Sequence, residues 1–144
     1  DPPLPQQLSF LQHIQGCDPV VVKDNFAYVT IRGGNACGQL SNQLDVVNIT
    51  DKQAPYVVET YEMENPFGLG VKDDWLFVCD GTAGLKIFDT QNTPDLRLID
   101  QFSNINTYDV IPLEEVLLMV GDNILHQYSY KNNEISLVSS FNLN

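Results

Sequence analysis

The chain has 144 residues, 43% of them hydrophobic, which is enough apolar material to bury a core as one domain. Its net charge is −12 and its 19 acidic residues are dispersed, a field that repels phosphate backbones and anionic lipid and so argues against nucleic-acid and membrane-surface partners. No run approaches the roughly 18 apolar residues of a membrane span, and no charged-then-apolar leader is visible, so direct membrane insertion is not expected.

Taken in order, Asp1 to Gln7 (DPPLPQQ) reads as a proline-rich extended linker. Leu8 to Ile14 is a strand-like run that resembles two later ones, Leu96 to Phe102 and Ile135 to Phe141. The clearest unit follows further on, from Gly68 to Phe102. Its short apolar runs, rich in Val, Ile, Phe and Trp and bounded by Gly, Asp, Asn or Pro, predict four strands: Gly68 to Val71, Trp75 to Cys79, Leu85 to Asp89 and Leu96 to Phe102. Lys72-Asp73-Asp74 suits a tight hairpin, and Asp80 to Gly84 supplies glycines for a wider turn with positive φ.

This unit recurs. Leu44 to Asn48 and Val57 to Tyr61 fall on Leu85 to Asp89 and Leu98 to Phe102 at an offset of 41, while Val22 to Val29 matches Val71 to Val78 at 49. The first unit therefore carries eight extra residues, in the loop around Gly33 to Asn42. Downstream, Val116 to Val120 matches Trp75 to Cys79 at 41, and Ile135 to Phe141 matches Leu96 to Phe102 at 39, giving a shorter third unit. Four strands every 40 residues or so predict all-β propeller blades rather than an ordinary sandwich, which has no reason to repeat turn chemistry in register. The units run from Asp18 to Met63, Asn65 to Ser103 and Tyr108 to Asn144. In the degenerate third, Leu125 to Ser129 replaces Leu85 to Asp89, and Pro112 replaces Val71. Leu8 to Ile14 is then the orphan outer strand of a preceding blade. Rings of this kind need about four to eight blades, so either upstream blades or a second copy of the chain is expected to complete this one.

The strands LDVVN (Leu44 to Asn48) and LKIFD (Leu85 to Asp89), with DPVVVKDNFAYV (Asp18 to Val29) and YDVIP (Tyr108 to Pro112), resemble the LVIVD-repeat family of bacterial β-propeller proteins. The resemblance covers most of the chain from Leu8 to Phe141. Many members are exported or surface-anchored lipoproteins of Gram-negative bacteria, and most have no assigned activity. It implies an extracytoplasmic location, periplasmic or on the outer cell surface with any lipid anchor on an upstream segment, and a ring of six or a similar number of blades. It carries over no catalytic residue, because the motif positions are core and turn residues.

In a propeller the loops joining successive blades share one face with the loops between second and third strands. That face collects Asp18, Arg32, Asn35, Asn42, Asn65, Asp80, Thr107, Asp109 and Asp122, a polar rim suited to a sugar, peptide or cation, or one that is simply solvated. Arg32 lies beside Gly33-Gly34 in the enlarged loop and is one of only 7 basic residues, so it is placed either to pair with a carboxylate or to hold an anionic group. Cys17 and Cys37 fall on the same face and form either a disulfide or two free thiols, while Cys79 reads as a small core residue. Trp75 and Phe26 read as core. His13 and His126 sit on expected strands with no adjacent ligand or nucleophile. No spacing points to a metal, and neither a GxSxG elbow nor a phosphate-binding glycine loop is present, so no cofactor is expected. The reading is a non-enzymatic binding or interaction module for a protein or glycan. Its alternative is a glycan hydrolase or lyase, built on a close carboxylate pair at the propeller mouth and completed by other blades.

Overall fold

The computed structural model describes residues 4–11, 19–34, 41–132 and 134–143. The expected four-strand meander appears three times, and the described residues contain no helix. The first sheet consists of β1 (Val20–Lys23), β2 (Phe26–Ile31), β3 (Gln43–Asn48) and β4 (Tyr56–Glu62). The second comprises β5 (Leu69–Lys72), β6 (Trp75–Cys79), β7 (Leu85–Asp89) and β8 (Arg97–Phe102). The third comprises β9 (Asp109–Pro112), β10 (Val116–Gly121), β11 (Ile124–Lys131) and β12 (Glu134–Asn142). Each sheet is antiparallel, with its strands side by side in chain order.

Turn chemistry explains the hairpins. Asp24, Asp73, Asn123 and Asn132 all take positive φ, near 50°, a conformation Asp and Asn tolerate better than other side chains. Gly81 and Gly84 turn the chain between β6 and β7 with φ of 58° and 89°. A β-bulge recurs where the fourth strand pairs the third: Val58, Ile99 and Val138 are each skipped in the register. Boundaries shift slightly from the sequence expectation. The strand expected at Gly68 to Val71 runs from Leu69 to Lys72, and β8 starts at Arg97 because the Leu96 N–H donates to the Tyr61 hydroxyl at 2.7 Å.

Leu8 to Leu11, in the expected orphan strand, belong to no strand, and the Ser9 hydroxyl donates to the Lys52 carbonyl. The rest of that segment, with His13, lies outside the described residues, as do Cys17, Asp18, Asn35 and Cys37, and therefore the disulfide pairing.

The three sheets stack, and alternation along the strands of the middle one feeds two cores. Leu76, Val78 and Phe88 pack with Tyr28, Leu44 and Val46 of the first sheet and with Met63 just after it. Phe77, Cys79, Leu85 and Ile87 pack with Val110, Leu117, Met119 and Tyr128 of the third. Burying each large aliphatic or aromatic side chain contributes about 1.5–3 kcal/mol. Burial pushes the Cys79 thiol up to about 12, which keeps it a neutral core group. The first strands lie closest together, β5 beside both β1 and β9. Gly70 allows that approach, since a Cβ there would collide with the Pro112 ring. The fourth strands lie outermost and are largely exposed. Val20 and Val22 of the first sheet, and Ile111 and Phe141 of the third, remain exposed at the two ends of the stack.

A buried ionic clasp joins the first two sheets. Asp80 is 0% exposed, and its carboxylate accepts the backbone N–H groups of Glu64 and Asn65 and the Lys86 ammonium at 2.6 Å. Breaking such a pair leaves a charge without compensation. Asp80→Asn is therefore expected to destabilise the fold by about 3 kcal/mol in urea unfolding, and a midpoint unchanged from wild type would contradict a stabilising clasp.

Candidate functional site

The loop face anticipated from the sequence is largely occupied with its own bonding. Besides Asp80, Thr107 is buried, with its hydroxyl donating to the Gly84 carbonyl at 3.0 Å. Asn42 accepts from the Gly33 N–H at 2.7 Å and donates to the Glu64 carbonyl at 2.6 Å, stitching the enlarged loop to the linker between sheets. Asn65 donates its backbone N–H to Asp80 and packs beside Gly81. Asp109 is exposed, with one carboxylate oxygen accepting the Val110 N–H at 2.9 Å.

Arg32 and Asp122 end a row that crosses all three sheets. The Arg32 guanidinium lies 4.0 Å from the centre of the Phe67 ring, and Phe67 meets Tyr108 edge-on at 4.8 Å. The Tyr108 hydroxyl donates to Asp122 at 2.7 Å, and Asn106 donates to the other carboxylate oxygen at 2.9 Å. Asp122 is exposed, and these two bonds, that from Tyr108 first, hold its carboxyl below the usual range. Tyr108 is held above its ordinary value chiefly by the same bond. Asp18 and Asn35 lie outside the described residues. His126 bonds Ser140 at 2.9 Å. Among the described residues, no group of three or more His, Cys, Asp or Glu converges to hold a metal.

An open cavity lies at the opposite end of the sheets, between the second and third. It measures about 380 Å³, within the range of small-molecule sites, and is walled by Trp75, Phe77, Leu113, Leu117 and Tyr130. Tyr130 is central: Phe77 meets it edge-on at 5.4 Å and Trp75 at 6.0 Å. Its hydroxyl is shielded from solvent with no hydrogen-bond partner, and burial, then the Asp100 charge, raises its pKa. Asp73, Glu114, Glu115 and Lys72 form the mouth. Lys72 pairs with Glu114 at 3.1 Å, and that bond raises its pKa against desolvation. Glu115 pairs with Lys131 at 3.2 Å.

The reason this cavity is open is visible one sheet earlier. There the seven-residue loop between β7 and β8 folds down over the notch between the first two sheets. Its Thr90 accepts from Lys23 at 2.9 Å, Thr93 meets the Tyr28 hydroxyl at 2.9 Å, and the Pro94 carbonyl accepts from Tyr61 at 2.9 Å. Lys23 also pairs with Asp74 at 2.6 Å, and only about 140 Å³ remains. β12 starts at Glu134, only three positions after β11 ends at Lys131, so among the described residues no corresponding loop folds over Trp75 and Tyr130. The sequence signal for this site is the change of offset from 41 to 39 in the third unit. Reading Trp75 as core, without asking what covers it, conceals the site.

No family model, curated protein or solved structure matches this chain. The resemblance to LVIVD-repeat propellers expected from the sequence motifs therefore has no support from these comparisons.

The Tyr108–Asp122 bond predicts a defined pH response. Because the folded pKa of Asp122 is depressed, its stabilising contribution is present above the ordinary carboxylate pKa near 3.9 and is lost as pH falls through the depressed value. At the alkaline end the raised Tyr108 holds its proton beyond 10.0, and the contribution is lost as pH rises through the folded value. Tyr108→Phe should return the Asp122 titration toward the ordinary range in carboxyl-detected NMR; a midpoint the same in both proteins would show that Tyr108 is not its cause.

Proposed function

We propose that this chain is a sector of a β-propeller acting as a non-enzymatic binding module, with its ligand taken in the cleft between the second and third sheets. The observation that carries this reading is the contrast between the two ends of the sheets. Asp80, Thr107 and Asn42, at the loop end, are committed to holding loops, whereas the Trp75–Tyr130 cleft is uncovered and aromatic. Among the described residues, the carboxyl groups with displaced acidity, Asp74, Asp89 and Asp122, are held low by hydrogen bonds, whereas a general acid for glycoside cleavage needs a raised one.

Three features support the propeller. The first strands converge, the same bulge recurs in each sheet, and successive faces of the stack are used alike. Val20 and Val22 on the first sheet and Ile111 and Phe141 on the third are exposed apolar residues that further sheets would cover in a ring. By the motif resemblance, the ring belongs outside the cytoplasm.

Amide chemical-shift mapping with a mixed set of glycans, peptides and small amines tests the binding reading. Perturbations are expected at residues 72–77, 112–117 and 130–132, with the ligand recovered intact. A ligand recovered cleaved, or shifts confined to Arg32, Asn65 and Asp109, would overturn it. For the ring, light scattering over a dilution series should show self-association that Ile111→Lys weakens; a monomer at every concentration that binds no hydrophobic dye would count against it.

A further inference from the structure

We infer that the cleft between the second and third sheets takes a small organic cation, an ammonium or guanidinium group on a compact apolar body. This deepens the binding function proposed above and rests on it. Its walls are the aromatic rings of Trp75, Phe77 and Tyr130, whose π faces attract cations more strongly as water is removed. Three carboxylates stand at the mouth, Asp73, Glu114 and Glu115, against one lining ammonium, Lys72.

Charge decides the class of ligand. Lys72 is already engaged by Glu114 at 3.1 Å and by Asp73 at 3.7 Å, and Glu115 by Lys131 at 3.2 Å, so the mouth offers no unpaired cation to an anion. The lining carries a surplus of negative charge within a chain of net −12, which concentrates cations at the entrance and repels anions. A neutral sugar could stack on the same rings but would leave that surplus unanswered.

Trp75 is the single tryptophan of the chain, so its selectively excited emission reports on this cleft alone. Choline, its neutral isostere 3,3-dimethylbutan-1-ol and a neutral oligosaccharide are the probes. Choline should shift the emission saturably, with the alcohol about tenfold weaker. High salt should weaken choline, and so should the Glu114→Gln, Glu115→Gln double variant, whose side chains are 93% and 73% exposed and therefore spare the fold. Equal binding of choline and the alcohol, or binding of the oligosaccharide only, would overturn the cation while leaving the cleft a binding site. If no probe moves Trp75, and Trp75→Phe folds and behaves as wild type in the shift mapping, both readings fall.

Discussion

Everything in this fold depends on how the chain leaves one sheet and enters the next, and the carboxylate of Asp80 fixes that passage. It is fully buried, yet it collects two consecutive backbone N–H groups from the linker after β4 and the ammonium of Lys86. Peptide groups crossing between layers cannot use a ladder, and unsatisfied they would cost free energy. With those groups satisfied, Met63 and Leu69 on either side of the linker are delivered into the same core. The third sheet has Gly121 where the second has Asp80, and its connection is held instead by Thr107, which bonds to Gly81 and Gly84.

Much of the architecture was legible because strands leave a local trace. Period-two apolar runs and Asp or Asn at hairpin corners placed β3, β4, the four strands of the middle sheet, β10, β11 and β12 within a residue or two, while the strand expected at Leu8 to Leu11 does not form. The polar face was less legible. Asp80, Thr107 and Asn42 look like surface polar residues in the sequence, and only the packing of distant loops makes them internal. Nothing near residue 80 in the chain announces that Lys86 and Asn65 will both turn toward it.

The cleft was hidden for a different reason. Trp75 and Tyr130 are 55 positions apart, and each fits a core position of its own strand. What exposes them is a loop that is short, and a short loop carries no residues of its own to notice. Connection length here governs access as surely as side-chain chemistry does: seven residues cap one notch with Thr90, Thr93 and Pro94, and the much shorter connection from β11 to β12 provides no such cap among the described residues.

Among the described residues the middle sheet packs on both faces, Leu76 and Val78 facing one way and Phe77 and Cys79 the other. In a stack of this kind stability is approximately a sum of unit and nearest-neighbour contributions. Counting contacts within this chain alone, an end sheet gives up one contact surface on opening and the middle sheet two. Amide protons on β6 and β7 should therefore be the last to exchange with solvent, and those on β12 among the first. Within this chain the aromatic cleft thus has one wall on the sheet packed on both faces and one on a sheet packed on a single face.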